Sequence, residues 1–177
     1  ATPGIEYDRA AHRGRPFYYF AYGAAVSEVA IDSLTGEHKV LAVDILHDVG
    51  RSLNAAVDKG QIEGGFLQGQ GWLTTEDLVF DGKGRLLTHS PATYKIPTAS
   101  DRAKHFTVSL WDGENVEPTI NRSKAVGEPP FMLAISVFSA LNRAVAAAAP
   151  GKRAMPQLDA PATPERVLAA IRELAAR

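Results

Sequence analysis

The residue best placed to do chemistry is a single carboxylate, Glu128, which comes directly before two prolines and a long apolar stretch, 131–149. Proline is favoured at the first position of a helix, and the residue before it is restricted to extended geometry, so we expect Glu128 at or just outside the helix start. The unpaired N–H groups and the dipole there favour negative charge by about 0.3–1 kcal/mol. Glu128 is therefore expected to be ionised and able to accept a proton. The alternative is that it only caps the helix, because acidic residues gather at helix starts for structural reasons.

A glycine-rich segment, 53–75, is the second candidate, because its apolar residues follow helical spacing. Each glycine inside a helix costs roughly 0.5–1 kcal/mol relative to alanine, so these glycines need a tertiary reason, either close backbone contact or room for a ligand. Gln61 and Gln68 lie seven residues apart on one face, where their amides could bind a polar ligand or simply face solvent. The glycines are Gly60, Gly64, Gly65, Gly69 and Gly71.

The other elements that must position these residues indicate an α+β domain. Alternating apolar runs at 24–32 and 38–48 predict an antiparallel hairpin, and a second hairpin is expected at 77–88. A strand is expected at 106–111, and Thr163 is expected to cap a last helix. Strands and helices do not alternate regularly, which favours antiparallel or mixed sheet hairpins with the Gly-rich helix and two C-terminal helices.

Three parts of the chain are expected: an extended lead-in at 1–16, an α+β domain at 17–150, and a linker with the C-terminal helix at 151–177. Its 177 residues, 45% hydrophobic and 22% charged, are typical of a globular domain. A net charge of −1 leaves no basic surplus for a nucleic acid, and the absence of cysteine excludes thiolate zinc sites and cysteinyl iron–sulfur clusters on this chain. No membrane span is expected, because polar residues interrupt the apolar stretch. The five histidines are scattered, so no protein metal ligand is expected.

Three segments, in their order and spacing, resemble the molybdenum hydroxylases, the family of xanthine dehydrogenase and aldehyde oxidase. The resemblance covers most of the chain and looks closest to the C-terminal part of the molybdenum-binding subunit of bacterial xanthine dehydrogenases. Ala55 and Lys59 depart from the family, which often has proline and an aliphatic residue there. The segments are Asp48-Val49-Gly50-Arg51-Ser52-Leu53-Asn54 with Gly60–Gly69, Pro91-Ala92-Thr93-Tyr94-Lys95-Ile96-Pro97, and Ser123-Lys124-Ala125-Val126-Gly127-Glu128-Pro129-Pro130.

The resemblance implies that Glu128 is the active-site base and that Gln61 lies against molybdopterin, with Gln68 and Gly127 as further cofactor-binding candidates. It implies oxidation of purines, hypoxanthine and xanthine to urate, by water-derived hydroxylation at a molybdopterin centre. Aldehydes or other N-heterocycles are the alternative substrates. The form of the pterin, including a dinucleotide form, stays open, and [2Fe-2S] clusters and FAD are expected on partner segments.

The expected partners are the rest of the molybdenum subunit, an iron–sulfur/FAD subunit and a small-molecule substrate, with neither nucleic acid nor membrane. A cytoplasmic location is expected. The substrate-orienting residues of the family belong to earlier parts of the subunit, so this chain alone is expected to be inactive. The non-enzymatic alternative is a scaffold or interaction domain that has this fold.

Overall fold

A three-stranded mixed sheet carries the fold. Strands β3 and β4 are antiparallel, whereas β5 lies parallel to β4 on its other side. The predicted hairpin at 24–48 and the strand at 106–111 are therefore confirmed, although the parallel pairing was not predicted. The computed structural model describes residues 4–149 and 155–177, so the first three residues and part of the predicted linker lie outside it. The three strands are β3 (Gly23–Ile31), β4 (His38–His47) and β5 (His105–Leu110).

Within the described residues, three α-helices pack against the sheet or against one another, as the α+β prediction required. The glycine-rich helix begins after Asn54, whose Oδ1 accepts hydrogen bonds from the N–H groups of Ala56 and Val57. The edge of the Phe66 ring meets Phe106 at a centroid distance of 5.5 Å, which joins this helix to the sheet. The helices are α1 (Ala55–Thr74), α2 (Ile135–Ala148) and α3 (Pro164–Ala176).

The core lies where the sheet meets these helices. All three helices and the sheet contribute fully or almost fully buried side chains, so the C-terminal helix belongs to the same core as the strands. Leu73 O also accepts a hydrogen bond from Ala162 N, just before α3 begins. The core includes Val43, Ile45, Ile62, Phe66, Val137, Leu141, Val145 and Val167.

The start of the second helical stretch differs from the prediction. Residues 129–134 form a 3-10 helix, and regular α-helix begins only at Ile135. Glu128 has helical dihedral angles, φ −92° and ψ −39°, so the expectation of extended geometry is wrong. The reason is local, because Phe131 N–H donates to Glu128 O at 3.0 Å and closes a 3-10 turn with the two prolines at its centre.

Two exposed segments also differ from the sequence prediction. The hairpin expected at 77–88 is reduced to one bridge between Phe80 and Leu86. The lead-in holds a short antiparallel pair, β1 (Glu6–Asp8) and β2 (Arg13–Arg15), where only extended chain was expected.

Residues 129–148 are long and apolar enough to cross a membrane by length and composition alone, with a mean hydropathy of 1.6. The polar interruptions therefore do not exclude a span as firmly as the sequence prediction held. In this fold Val137, Leu141 and Val145 are fully buried in the core formed with the sheet and the other helices. These three side chains belong to the core, whereas only 22% of the apolar window as a whole is buried in the fold.

Candidate functional site

The 3-10 segment 129–134 lies directly against α1, and two glycines make this approach possible. A Cβ on Gly69 would lie 2.2 Å from Phe131 O and 2.9 Å from the Cβ of Ala134. A Cβ on Gly65 would lie 3.2 Å from Gly127 O. Close backbone contact, one of the two reasons considered for the glycines, is therefore correct at these positions.

Another side of the same helix carries glycines that no other described segment packs against. A Cβ on Gly60 or Gly64 would meet no atom within 4 Å. Val57, Gln61, Gly64 and Gln68 are exposed and recur at helical spacing, so they form one uncovered surface, which we call the open face of α1. Gln61 and Gln68 are about 10.5 Å apart along the helix axis at 1.5 Å per residue. Here there is room for a ligand.

Gly127 lies at the edge of the open face, and Glu128 follows it directly in the chain. A Cβ on Gly127 would be 3.8 Å from Gln61 Oε1, with no other atom within 4 Å. Glu128 is the N-cap residue of the 3-10 segment, as the helix-cap alternative expected, but its side chain is exposed and accepts no capping hydrogen bond. Among residues 4–149 and 155–177 it takes part in no salt bridge. The structure thus brings Gln61 and Gly127 together beside Glu128, while Gln68 lies two turns further along.

Lys124 lies four residues before Glu128 but pairs with another carboxylate. Its Nζ lies 2.5 Å from Asp48 Oδ2, and the two side chains are only 8% and 16% exposed. Both residues fall in segments that carry the family resemblance, but nothing in a single sequence indicates a contact between positions 76 residues apart. This pair is the part of the site that sequence reasoning missed.

The histidines form no metal centre in the described parts of the chain, where no three potential metal ligands lie together. His47, at the end of β4, is 1% exposed and its Nδ1 has no hydrogen-bond partner among the described residues. Burial lowers the pKa of His47, against an opposing effect of the nearby Asp48 carboxylate. Burial also lowers the pKa of His38, although its Nε2 lies 2.9 Å from Ala162 O.

These two histidines predict how stability depends on pH. Their folded-state pKa values lie below the usual 6.5, so the unfolded chain binds more protons as the pH falls through that value. Stability should be unaffected by them above about pH 6.5 and should decrease below it. Denaturant midpoints of the complete protein between pH 5 and 8 test this, and His38→Gln with His47→Gln should flatten the acid side of the curve. An unchanged acid side in that double variant would refute the assignment.

The chain belongs to the molybdopterin cofactor-binding domain family, whose family model matches residues 1–103. The chain is 48% identical over 171 residues to the xanthine dehydrogenase/oxidase of Felis catus. It is 46% identical over 175 residues to the xanthine dehydrogenase of Oryza sativa subsp. japonica. Each alignment covers 94% of this chain, which spans 13% of each relative's length.

Solved structures agree with this assignment. The aldehyde oxidoreductase from Desulfovibrio gigas matches 97% of this chain and 18% of that protein, with a TM-score of 0.78 and 25% identity. The predicted membership of the molybdenum hydroxylases and the predicted fold class are therefore confirmed. The special closeness to bacterial xanthine dehydrogenases stays a prediction.

The residues at the open face fit the polar edge of a pterin. The Gln61 amide offers both donors and an acceptor, as recognition of a ring with alternating N–H and C=O groups requires. Gly64 and Gly127 leave space beside it, and a side chain at Gly127 would extend toward Gln61 Oε1. When bound, such a cofactor would supply the redox chemistry.

Proposed function

We propose that this chain is the base-bearing C-terminal portion of a molybdenum hydroxylase that oxidises purines, hypoxanthine and xanthine to urate. The observation that carries this proposal is the position of Glu128, which is exposed, accepts no capping hydrogen bond and directly follows Gly127, the residue beside Gln61 on the open face of α1. The identity to xanthine dehydrogenases supports the choice of purines.

The chemistry assigned to this chain is proton transfer and positioning. Glu128 takes the proton from the water-derived nucleophile that attacks the electrophilic ring carbon, which requires hydrogen-bond reach of about 2.6–3.2 Å, directly or through one water. Gln61 orients the cofactor edge through its amide, and Gly127 allows the ligand to approach the backbone. Gln68 is proposed as a further polar contact, two turns along the same face.

The rest of the site comes from polypeptide outside this chain, which spans only 13% of its relatives. The proposal includes the remaining molybdenum subunit, partner segments with [2Fe-2S] clusters and FAD, and a cytoplasmic location. The many large apolar side chains exposed here, such as Phe17, Phe20, Trp72 and Trp111, are consistent with further polypeptide covering this domain.

Purified complete enzyme tests the proposal through its metal content and its substrate preference. We expect bound molybdenum and a kcat/KM for xanthine at least tenfold above that for an aromatic aldehyde. A molybdenum enzyme that prefers the aldehyde would contradict the purine assignment. A metal-free complete protein without oxidase activity would favour the scaffold alternative.

A further inference from the structure

A buried ion pair lies four residues before Glu128. The Lys124 ammonium contacts the Asp48 carboxylate at 2.5 Å, and its nitrogen is 5.4 Å from the centroid of the Tyr22 ring. Two charges removed from water contribute little net stability, because desolvation opposes their attraction. The pair instead fixes the position of Lys124, whose ammonium contacts one carboxylate and lies over one aromatic ring.

The backbone around this pair is joined to the end of β4. Lys124 N–H donates to Val49 O at 2.8 Å, and Gly50 pairs with Ser123 in an antiparallel bridge. The second oxygen of Asp48 accepts the N–H of Gly50 at 2.8 Å. One carboxylate therefore shapes the turn at 48–50 and also holds the chain that runs beside it.

Beyond Lys124, few contacts fix the chain before it reaches Glu128. The Ala125 N–H donates to the Tyr19 hydroxyl at 2.9 Å, and the 3-10 turn begins where Glu128 O accepts from Phe131. Residues 125–127 belong to no helix or strand. The position of Glu128 thus depends on the 3-10 turn against α1 on one side. On the other side it depends on Lys124, on the Tyr19 hydrogen bond and on the packing of Val126 against the core.

We propose that Asp48 and Lys124 are positioning residues that hold the segment presenting Glu128 to the open face of α1. The catalytic consequence rests on the proposed function, whereas the structural hold does not. A misplacement of about 1 Å at a reacting group can cost on the order of 100-fold in rate. Loss of the pair should therefore affect the chemical step more than substrate binding.

The double variant Asp48→Asn/Lys124→Met in the complete enzyme tests this. It leaves no buried charge unpaired, and asparagine keeps an acceptor for the Gly50 N–H. We expect hydrogen exchange in a peptide covering residues 120–131 to become about tenfold faster or more. We also expect kcat per bound molybdenum to decrease by about 10- to 100-fold while KM stays within threefold. The single variant Lys124→Arg keeps the charge pair. It should retain most of the wild-type protection from exchange at 120–131 and most of the wild-type kcat.

Asp81→Asn/Arg85→Met is the matched control, because it removes an ion pair of 2.7 Å that lies at the surface. It should change neither exchange at 120–131 nor turnover. If the main double variant does not fold, Asp48→Asn/Lys124→Gln also removes both charges, leaves neither one unpaired and carries the same expectation.

Unchanged exchange at 120–131 would overturn the proposal whatever the activity. Faster exchange with an unchanged kcat would overturn the positioning role. A wild-type enzyme that contains molybdenum but oxidises no purine would overturn the proposed function instead, and the exchange result would still decide whether the pair holds this segment.

Discussion

Replacement of Glu128 by glutamine in the complete enzyme should reduce kcat by about 10²–10⁴-fold, the usual contribution of a positioned general base. Glutamine keeps the size of the side chain but cannot accept the proton. The wild-type carboxylate makes no capping hydrogen bond, so the change should leave the fold and the molybdenum content intact. Turnover per bound molybdenum is the measurement.

Glu173→Gln is the matched control for that substitution. Glu173 is exposed on α3, where its carboxylate pairs with the side chain of Arg177, and its replacement should leave turnover unchanged. If the Glu128 variant keeps turnover within threefold of the wild type at equal molybdenum content, Glu128 is not the base.

Replacement of Gly69 by alanine should give the largest loss of stability among the glycines of α1. The new Cβ would lie 2.2 Å from Phe131 O, a backbone atom that cannot move without displacing the 3-10 segment. We expect a loss of about 1–3 kcal/mol or more in the free energy of unfolding, as in overpacked cores. Because the displaced segment starts at Glu128, turnover should also decrease. Denaturant unfolding and turnover per molybdenum measure the two effects.

Gly60→Ala on the same helix provides the comparison. Its Cβ would meet no atom within 4 Å, so alanine should stabilise the helix by about 0.5–1 kcal/mol through its higher propensity. Equal effects of the two substitutions would mean that the 3-10 segment does not lie against α1 as described.

Local patterns predicted the elements of this fold better than their partners. The spacing of apolar residues located α1 and the hairpin of β3 and β4, because each is decided by nearby residues. The parallel pairing of β5 with β4 was not predictable in the same way, since alternation indicates a strand but not which strand lies beside it. The 3-10 geometry at Glu128 arises from a backbone hydrogen bond to Phe131, which propensity does not reveal.

In the site, too, local motifs were predictable from the sequence, whereas contacts between distant segments were not. The motif around Glu128 and the glutamines Gln61 and Gln68 of α1 were visible in the sequence. Close backbone contact and open space for a ligand were both considered for the glycines, but the sequence did not indicate which glycines make the close contact. The partner of Lys124 was missed, because a charge pair closed by the fold leaves no spacing signal. Contacts that join distant segments required coordinates.

Glu128 and the open face of α1 are proposed to line one cofactor pocket. A crystal structure of the complete enzyme with molybdopterin and a bound substrate analogue tests this arrangement. We expect the Glu128 carboxylate to lie within about 3.2 Å of the reacting group, or to be joined to it by one water, and the Gln61 amide to lie against the pterin. A carboxylate that faces bulk solvent, with the pterin bound away from α1, would contradict it.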